Sequence, residues 1–164
     1  MKRVIYFVVV LALTFAITTC SKSPTEPMKK EVRELSSVEK TLVESDNSFG
    51  LKVFREINND EKNKNVFISP LSISMALGMT LNGANGATKE AMQSALELAG
   101  LSDQQINENY QSLIDLLVGL DPKVKFQIAN SIWYRNTFAF KESFINLNKQ
   151  YFYARVAGLD FTNP

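Results

Sequence analysis

The stretch NVFISPLSISMALGMTLNGANGATKEAM, Asn65 to Met92, is almost continuously apolar as far as Asn82. Val66 to Ile68 is β-branched or aromatic at every position, which suits a short buried strand. Ser69-Pro70 supplies an N-cap and a proline in the first helical turn, so a helix is expected from Pro70 to about Asn82. That helix is apolar nearly all round, a character that belongs to the inside of a large protein. Gly83 and Gly86 then precede another helix. A phosphate loop of the G-x-x-x-x-G-K-[ST] kind needs both glycines, the lysine and the hydroxyl at fixed spacing, because backbone N–H groups and the lysine must converge on one anion. Here the glycines are only three residues apart and Lys89 is followed by Glu90, whose charge repels a phosphate at a helix start. The segment reads as a turn between helices.

Upstream, Ser45 can cap a preceding helix whose buried face is Phe49, Val53, Phe54 and Ile57, ended by the polar run Asn58 to Asn65. Downstream, a helix from Thr88 to about Leu98 has a cap at Thr88 and a stripe of Ala91, Met92, Ala95 and Leu96. Ser102 to about Leu120 follows as a longer helix with Ile106, Tyr110, Leu113, Ile114 and Leu117 inward. The period then changes to two. In VKFQIANSIWY, Val124, Phe126, Ile128, Asn130, Ile132 and Tyr134 share one side of an expected long strand. An amphipathic helix through Phe144, Leu147, Asn148 and Tyr151 comes next, and ARVAGLDF is strand-like. Helices first, then strands and helices mixed, indicate an α+β fold.

The chain has 164 residues, 45% hydrophobic and 21% charged, enough for one domain with a core. Its formal net charge is +1; without Lys2 and Arg3 it is 16 basic against 17 acidic residues, or −1, which gives no electrostatic case for nucleic acid. Histidine is absent, and this excludes Ser-His-Asp hydrolysis, Cys-His proteolysis and His-ligated metals. Asp60-Glu61 lacks the alternating acids and turn glycine of a calcium loop, so no metal is expected there. Ser37-x-x-Lys40 and Ser45-Asp46-Asn47 imitate two signatures of penicillin-recognising enzymes, but no K-T-G follows. No enzyme activity, cofactor or small-molecule substrate is expected.

Lys2 and Arg3 precede an apolar run from Val4 to Ile17, the layout of an export signal over 1–19. The run is shorter than the roughly 20 residues a spanning helix needs. Cys20, the single cysteine, sits just beyond it in AITTCSKSP, which resembles the lipobox of bacterial lipoproteins, with Thr19 where that pattern has Gly, Ala or Ser. A lone cysteine has no disulfide partner in the chain, so acylation fits its chemistry better. The expectation is a protein lipid-anchored to the bacterial cell envelope through Cys20, with a soluble, secreted extracellular form as the alternative. Residues 20–44, polar with Pro24 and Pro27, read as a tether whose second half has weak helical character.

In chain order, SDNSFGLKVFREI, NVFISPLSISMALGMTLNGANGATKEAM, FQIANSIWY, Phe144 and ARVAGLDF resemble the N-terminal portion of serpins, the serine protease inhibitor family, from Ser45 to Phe161. The resemblance implies a helical subdomain with helices A to E and strands 6B, 2A and 1A. Asn82 to Thr88, with Gly83, Gly86 and Thr88, becomes the link from helix B to helix C, and no ligand is implied. Ser69 and Ser72 match the serpin shutter, whose side chains hydrogen-bond beneath sheet A and permit its opening; helix capping is the simpler reading of the pair. Asn130 matches an asparagine of strand 2A, against the plainer reading of an exposed strand end.

Serpins offer a reactive loop as bait to a protease, here a serine protease at family level, and cleavage lets the loop insert into sheet A and trap the enzyme. A serpin domain is more than double the present length. The resemblance therefore implies a truncated domain over 45–164 that lacks the C-terminal half of the fold and the reactive loop. Such a fragment is expected not to inhibit alone, and to be partly ordered and prone to associate through apolar surface and open strand edges. The alternative is a lipid-anchored, non-inhibitory interaction remnant of a serpin. Some serpins bind polyanions through a basic helix D; the matching Ser102 to Leu120 contains Asp103, Glu108 and Asp115 and no lysine or arginine, so no such binding is expected.

Overall fold

The first helix of the computed structural model, which describes residues 33–162, is α1, Ser37–Asp60. The signal expected over 1–19, Cys20 and the first part of the tether lie outside the described residues. Helix α1 starts at Ser37, well before the expected cap at Ser45, because Ser36 and Glu39 form a capping box: the Ser36 hydroxyl accepts from the Glu39 N–H at 3.2 Å and the Glu39 carboxylate accepts from the Ser36 N–H at 2.7 Å. The end of the expected tether is thus helix, and its Leu42 is fully buried. Ser45 is a buried mid-helix residue whose hydroxyl donates to the Glu97 carbonyl at 2.7 Å. Phe49 is buried as expected, whereas Phe54 remains 43% exposed.

Residues 66–68 do not form the expected strand 6B. They have no regular secondary structure, no strand among the described residues pairs with them, and Phe67 is 99% exposed. Helix α2, Pro70–Leu81, begins where the sequence indicates, with Ser69 as N-cap and proline at its first positions. It buries Ser74, Met75, Gly78, Met79 and Leu81, while Ser72, Ala76 and Thr80 are exposed, so its apolar character is not matched by burial all round.

Helix α3, Gly86–Ala95, is capped by Asn85, whose side-chain oxygen accepts from the Gly86 N–H at 2.9 Å. Thr88, the expected cap, lies inside the first turn. Ala91 and Ala95 are exposed, and burial comes after the helix instead: Leu96 and Leu98 enter the core because Glu97 takes a left-handed φ of 57° and the Leu98 N–H returns to the Gln93 carbonyl at 2.8 Å. Helix α4, Asp103–Val118, has a capping box of Ser102 and Gln105 and buries Ile106, Tyr110, Leu113 and Ile114 as the period indicates.

Strand β1, Ser131–Arg135, helix α5, Glu142–Phe152, and strand β2, Arg155–Leu159, form a β-α-β unit with parallel pairing from Ser131↔Arg155 to Arg135↔Leu159. The strand expected from Val124 starts only at Ser131, since β2 offers five partners and none for 124–130. Its alternation nevertheless holds, with Ile128, Asn130, Ile132 and Tyr134 half-buried and their neighbours exposed; Val124 and Phe126 are also exposed.

The core gathers Leu42 and Phe49 of α1, Met75 and Met79 of α2, Leu96, Leu98, and Ile106, Tyr110 and Ile114 of α4 around Phe152 at the end of α5. Gly78 permits this closeness, since a Cβ there would lie 3.0 Å from the Tyr110 ring and 3.4 Å from the Phe152 ring. Those two rings are themselves 5.2 Å apart and tilted by 40°.

Candidate functional site

Ser69 and Ser72 come together through the first turn of α2. Their hydroxyls are 2.8 Å apart, and the Ser72 N–H donates to the Ser69 hydroxyl at 3.4 Å. Capping and a side-chain contact therefore coexist in one pair. Asn130 stands across from them, just before β1. Its side-chain amide donates to the Phe152 carbonyl at 2.9 Å and its main-chain carbonyl accepts from the Arg155 N–H at 2.9 Å. It thus ties the start of β1 to both the end of α5 and the start of β2, which is more than an exposed strand end does.

The three residues line one groove of about 480 Å³ between α2 and residues 126–131, together with Met75, Met79, Phe126 and Ile128. No hydrogen bond joins the serines to Asn130 across it; the serines face a cleft of mixed polar and apolar lining beside the pair of strands. Strand β1 is paired on one side by β2, and its other edge has no strand against it among the described residues.

The expected helix-to-helix link lies elsewhere. Gly83 closes the end of α2 against α5, where a Cβ would meet the Phe144 ring at 3.1 Å. Gly86 has φ +55°, a left-handed value suited to glycine, with open space around it. Gly83 and Thr88 border a separate depression of about 690 Å³ with Phe140, Lys141 and Phe144. Cys20 lies outside the described residues. The enzyme-like motifs do not assemble: Ser37 and Lys40 are exposed, whereas Ser45 and Asp46 are buried. Among the described residues there is no cluster of metal-ligating side chains.

Three polar arrangements escaped the sequence reading. Asn82, Asn107 and Asn148 join the end of α2 to α4 and α5, with Asn107 and Asn148 both buried. Asp46 accepts from the Tyr110 hydroxyl inside the core at 3.1 Å. Glu39 accepts from Arg33 at 2.9 Å and from the Ser112 hydroxyl at 2.6 Å, and the Arg33 guanidinium, with Ser112 and Ser36, holds its carboxyl well below the usual carboxylate range. The available signal was an amide or acid at a core-facing helical position, such as Asn148 in the stripe of Phe144 and Tyr151.

Residues 44–164 match the family described as serpin, serine protease inhibitor. The chain is 32% identical over 124 residues to Serpin B6 of Bos taurus, covering 74% of this chain and 32% of that protein. It is 33% identical over 113 residues to the leukocyte elastase inhibitor of Sus scrofa, covering 69% and 29%. The structure is similar to that of human glycosylated kallistatin, with a TM-score of 0.72, 22% identity and coverage of 78% of this chain and 35% of that one. The chain spans about a third of the length of the curated relatives it matches.

Proposed function

Because the chain belongs to the serpin family, we propose that residues 45–164 form the N-terminal, helix-rich portion of a serine-type endopeptidase inhibitor, with a serine protease as the target. The observation that carries this reading is the unpaired edge of β1 beside the groove of Ser69, Ser72 and Asn130. A sheet that accepts an inserting strand needs a mobile boundary between its strands and the helix beneath. In support of this reading, the cleft has the hydroxyls of Ser69 and Ser72 on one side and Asn130 on the other.

We infer further that this portion does not inhibit alone. The described residues form a two-stranded sheet, whereas trapping a protease requires a cleavable loop and a sheet that takes it in. Mixing the chain with trypsin-like and elastase-like proteases is expected to leave their activity unchanged and to give no complex stable in denaturing gels. A stoichiometric covalent complex overturns the fragment reading. Nucleotide sequence immediately downstream that encodes a run of small residues ahead of a bait loop supports the inhibitor reading; unrelated sequence favours the second one.

That second reading, a non-inhibitory interaction remnant, is favoured by the exposed Phe67 next to the groove against α1. In either case the proposed location is the bacterial cell envelope, with anchoring by acylation of Cys20 after export, or release into the medium where Cys20 is not acylated. The support is the apolar run Val4 to Ile17 followed by the single cysteine.

A further inference from the structure

The junction of α1, α2 and α4 contains one carboxyl group with nothing to balance it. Asp46 is on the buried side of α1 and 9% exposed. The Tyr110 hydroxyl of α4 donates to its Oδ1 at 3.1 Å, but its Oδ2 is buried without a hydrogen-bond partner. Helix α2 presents Ser74, fully buried, whose hydroxyl donates to the Leu71 carbonyl at 3.1 Å. From helix α5 the Phe152 ring packs on the Tyr110 ring, 5.2 Å away. On α1 itself, Glu39 is committed to Arg33 and Ser112, and Lys52 pairs with Glu97. No cation pairs with Asp46 among the described residues. Burial pushes the Asp46 carboxyl up to about 6, against the pull of Ser74 and Tyr110, and burial raises the Tyr110 phenol too, so that it remains a donor.

Asp46 also borders a groove of about 610 Å³ lined by Gly50, Leu51, Phe54, residues 66–68 and Pro70. We propose that Asp46 is a proton-operated latch on this groove. Protonated, it is a neutral group that the junction accommodates, and α1 stays packed, through Gly50, against Pro70 at the end of the 66–70 segment. Ionised, its second oxygen carries charge with no partner; water reaches it by way of the groove, and the contact of α1 with that segment loosens. The Ser74 hydroxyl is the group placed to respond, by turning from the Leu71 carbonyl toward the new charge. Since folding favours the protonated form, the latch is fully closed below the ordinary value of 3.8 and is released as pH rises to about 6.

The test uses the full chain. Carbon NMR follows the Asp46 carboxyl, and amide exchange of Asn47 to Leu51, corrected for intrinsic rates, is compared at about pH 4 and about pH 7 in wild type and Asp46→Asn. The carboxyl is expected to titrate near 6, and protection in the wild type to fall on the order of a hundredfold between the two conditions. Asp46→Asn, neutral at both, is expected to keep its protection. Tyr110→Phe removes a donor to the charged form and is expected to move the titration upward. An Asp46 carboxyl that titrates at or below 3.8 overturns the latch. So does a titration near 6 with unchanged protection, or an equal loss of protection in wild type and Asp46→Asn. Where Asp46→Asn does not fold, the wild-type titration, its protection and the Tyr110→Phe shift decide on their own.

Discussion

Asn82 and Asn107 hold each other by a reciprocal pair of amide hydrogen bonds, each donating to the other at 2.9 Å. The Asn82 amide nitrogen also donates to Asn148 at 3.2 Å, and Asn148 donates in turn to the Phe144 carbonyl at 3.0 Å. Three helices thus meet through side-chain amides whose bonding capacity is largely used inside the core. Because low dielectric makes an unmet amide expensive, the network favours this register of α2, α4 and α5 over slipped ones.

Asn107→Ala leaves part of the Asn82 amide unbonded and is expected to cost about 1–3 kcal/mol. A double-mutant cycle with Asn82→Ala, read from urea unfolding midpoints, is expected to show coupling of at least roughly 0.5 kcal/mol. Additive effects would mean that the pair is incidental.

Gly50 sits where α1 meets the start of α2, and a Cβ there would lie 2.6 Å from the Pro70 Cβ. Gly50→Ala gains about 1 kcal/mol of helix propensity. The clash with a rigid ring is expected to outweigh this, for a net loss of about 1–2 kcal/mol in the range typical of overpacking. Thermal unfolding of the variant measures the sign directly.

Glu39 provides an acid limb to stability. Its carboxyl is held below its ordinary value of 4.5, so its contribution is present above that value and is lost as pH falls through and below it. Asp46 acts in the opposite sense, its contribution fading as pH rises from 3.8 to about 6. Glu39→Gln is expected to flatten the acid limb and to lower stability at neutral pH by about 1 kcal/mol. Chemical denaturation from about pH 2 to about pH 7 reads both limbs.

Cys20→Ser is expected to move the protein from the membrane fraction to the soluble one, because stable anchoring depends on its acyl chains. Incorporation of labelled fatty acid by the wild type and not by the variant checks this. A wild type that incorporates none leaves the secreted form.

Sulfated polysaccharide is expected not to bind α4. Its charged residues are Asp103, Glu108 and Asp115, and the nearby Lys89 is paired with Asp103. A salt-sensitive interaction mapped by amide perturbations to Asp103–Val118 would contradict it.

The sequence by itself determined the helix starts that depend on local chemistry. Ser69-Pro70 opened α2, Ser102 opened α4, and the inward faces of α4 and α5 followed from their period, because capping and amphipathic spacing act within a turn or two of the chain. The same patterns placed the chain in its family. The start of α1 was also written locally, in Ser36-x-x-Glu39, but the prolines and charges before it suggested a tether; Leu42 reaching the core is what makes that turn worth forming. Tertiary structure decided the rest. Residues 66–68 have strand-forming side chains but no partner strand to bond, and 124–130 alternate correctly beyond the end of a five-residue partner. Asp46 and Asn107 look like surface residues in a list of letters, and Asn148, though it falls in the stripe of α5, names no partner there. Their burial depends on Tyr110 reaching Asp46, and Asn82 reaching both Asn107 and Asn148, from other elements with matching donors and acceptors, and spacing along the chain contains no record of that meeting.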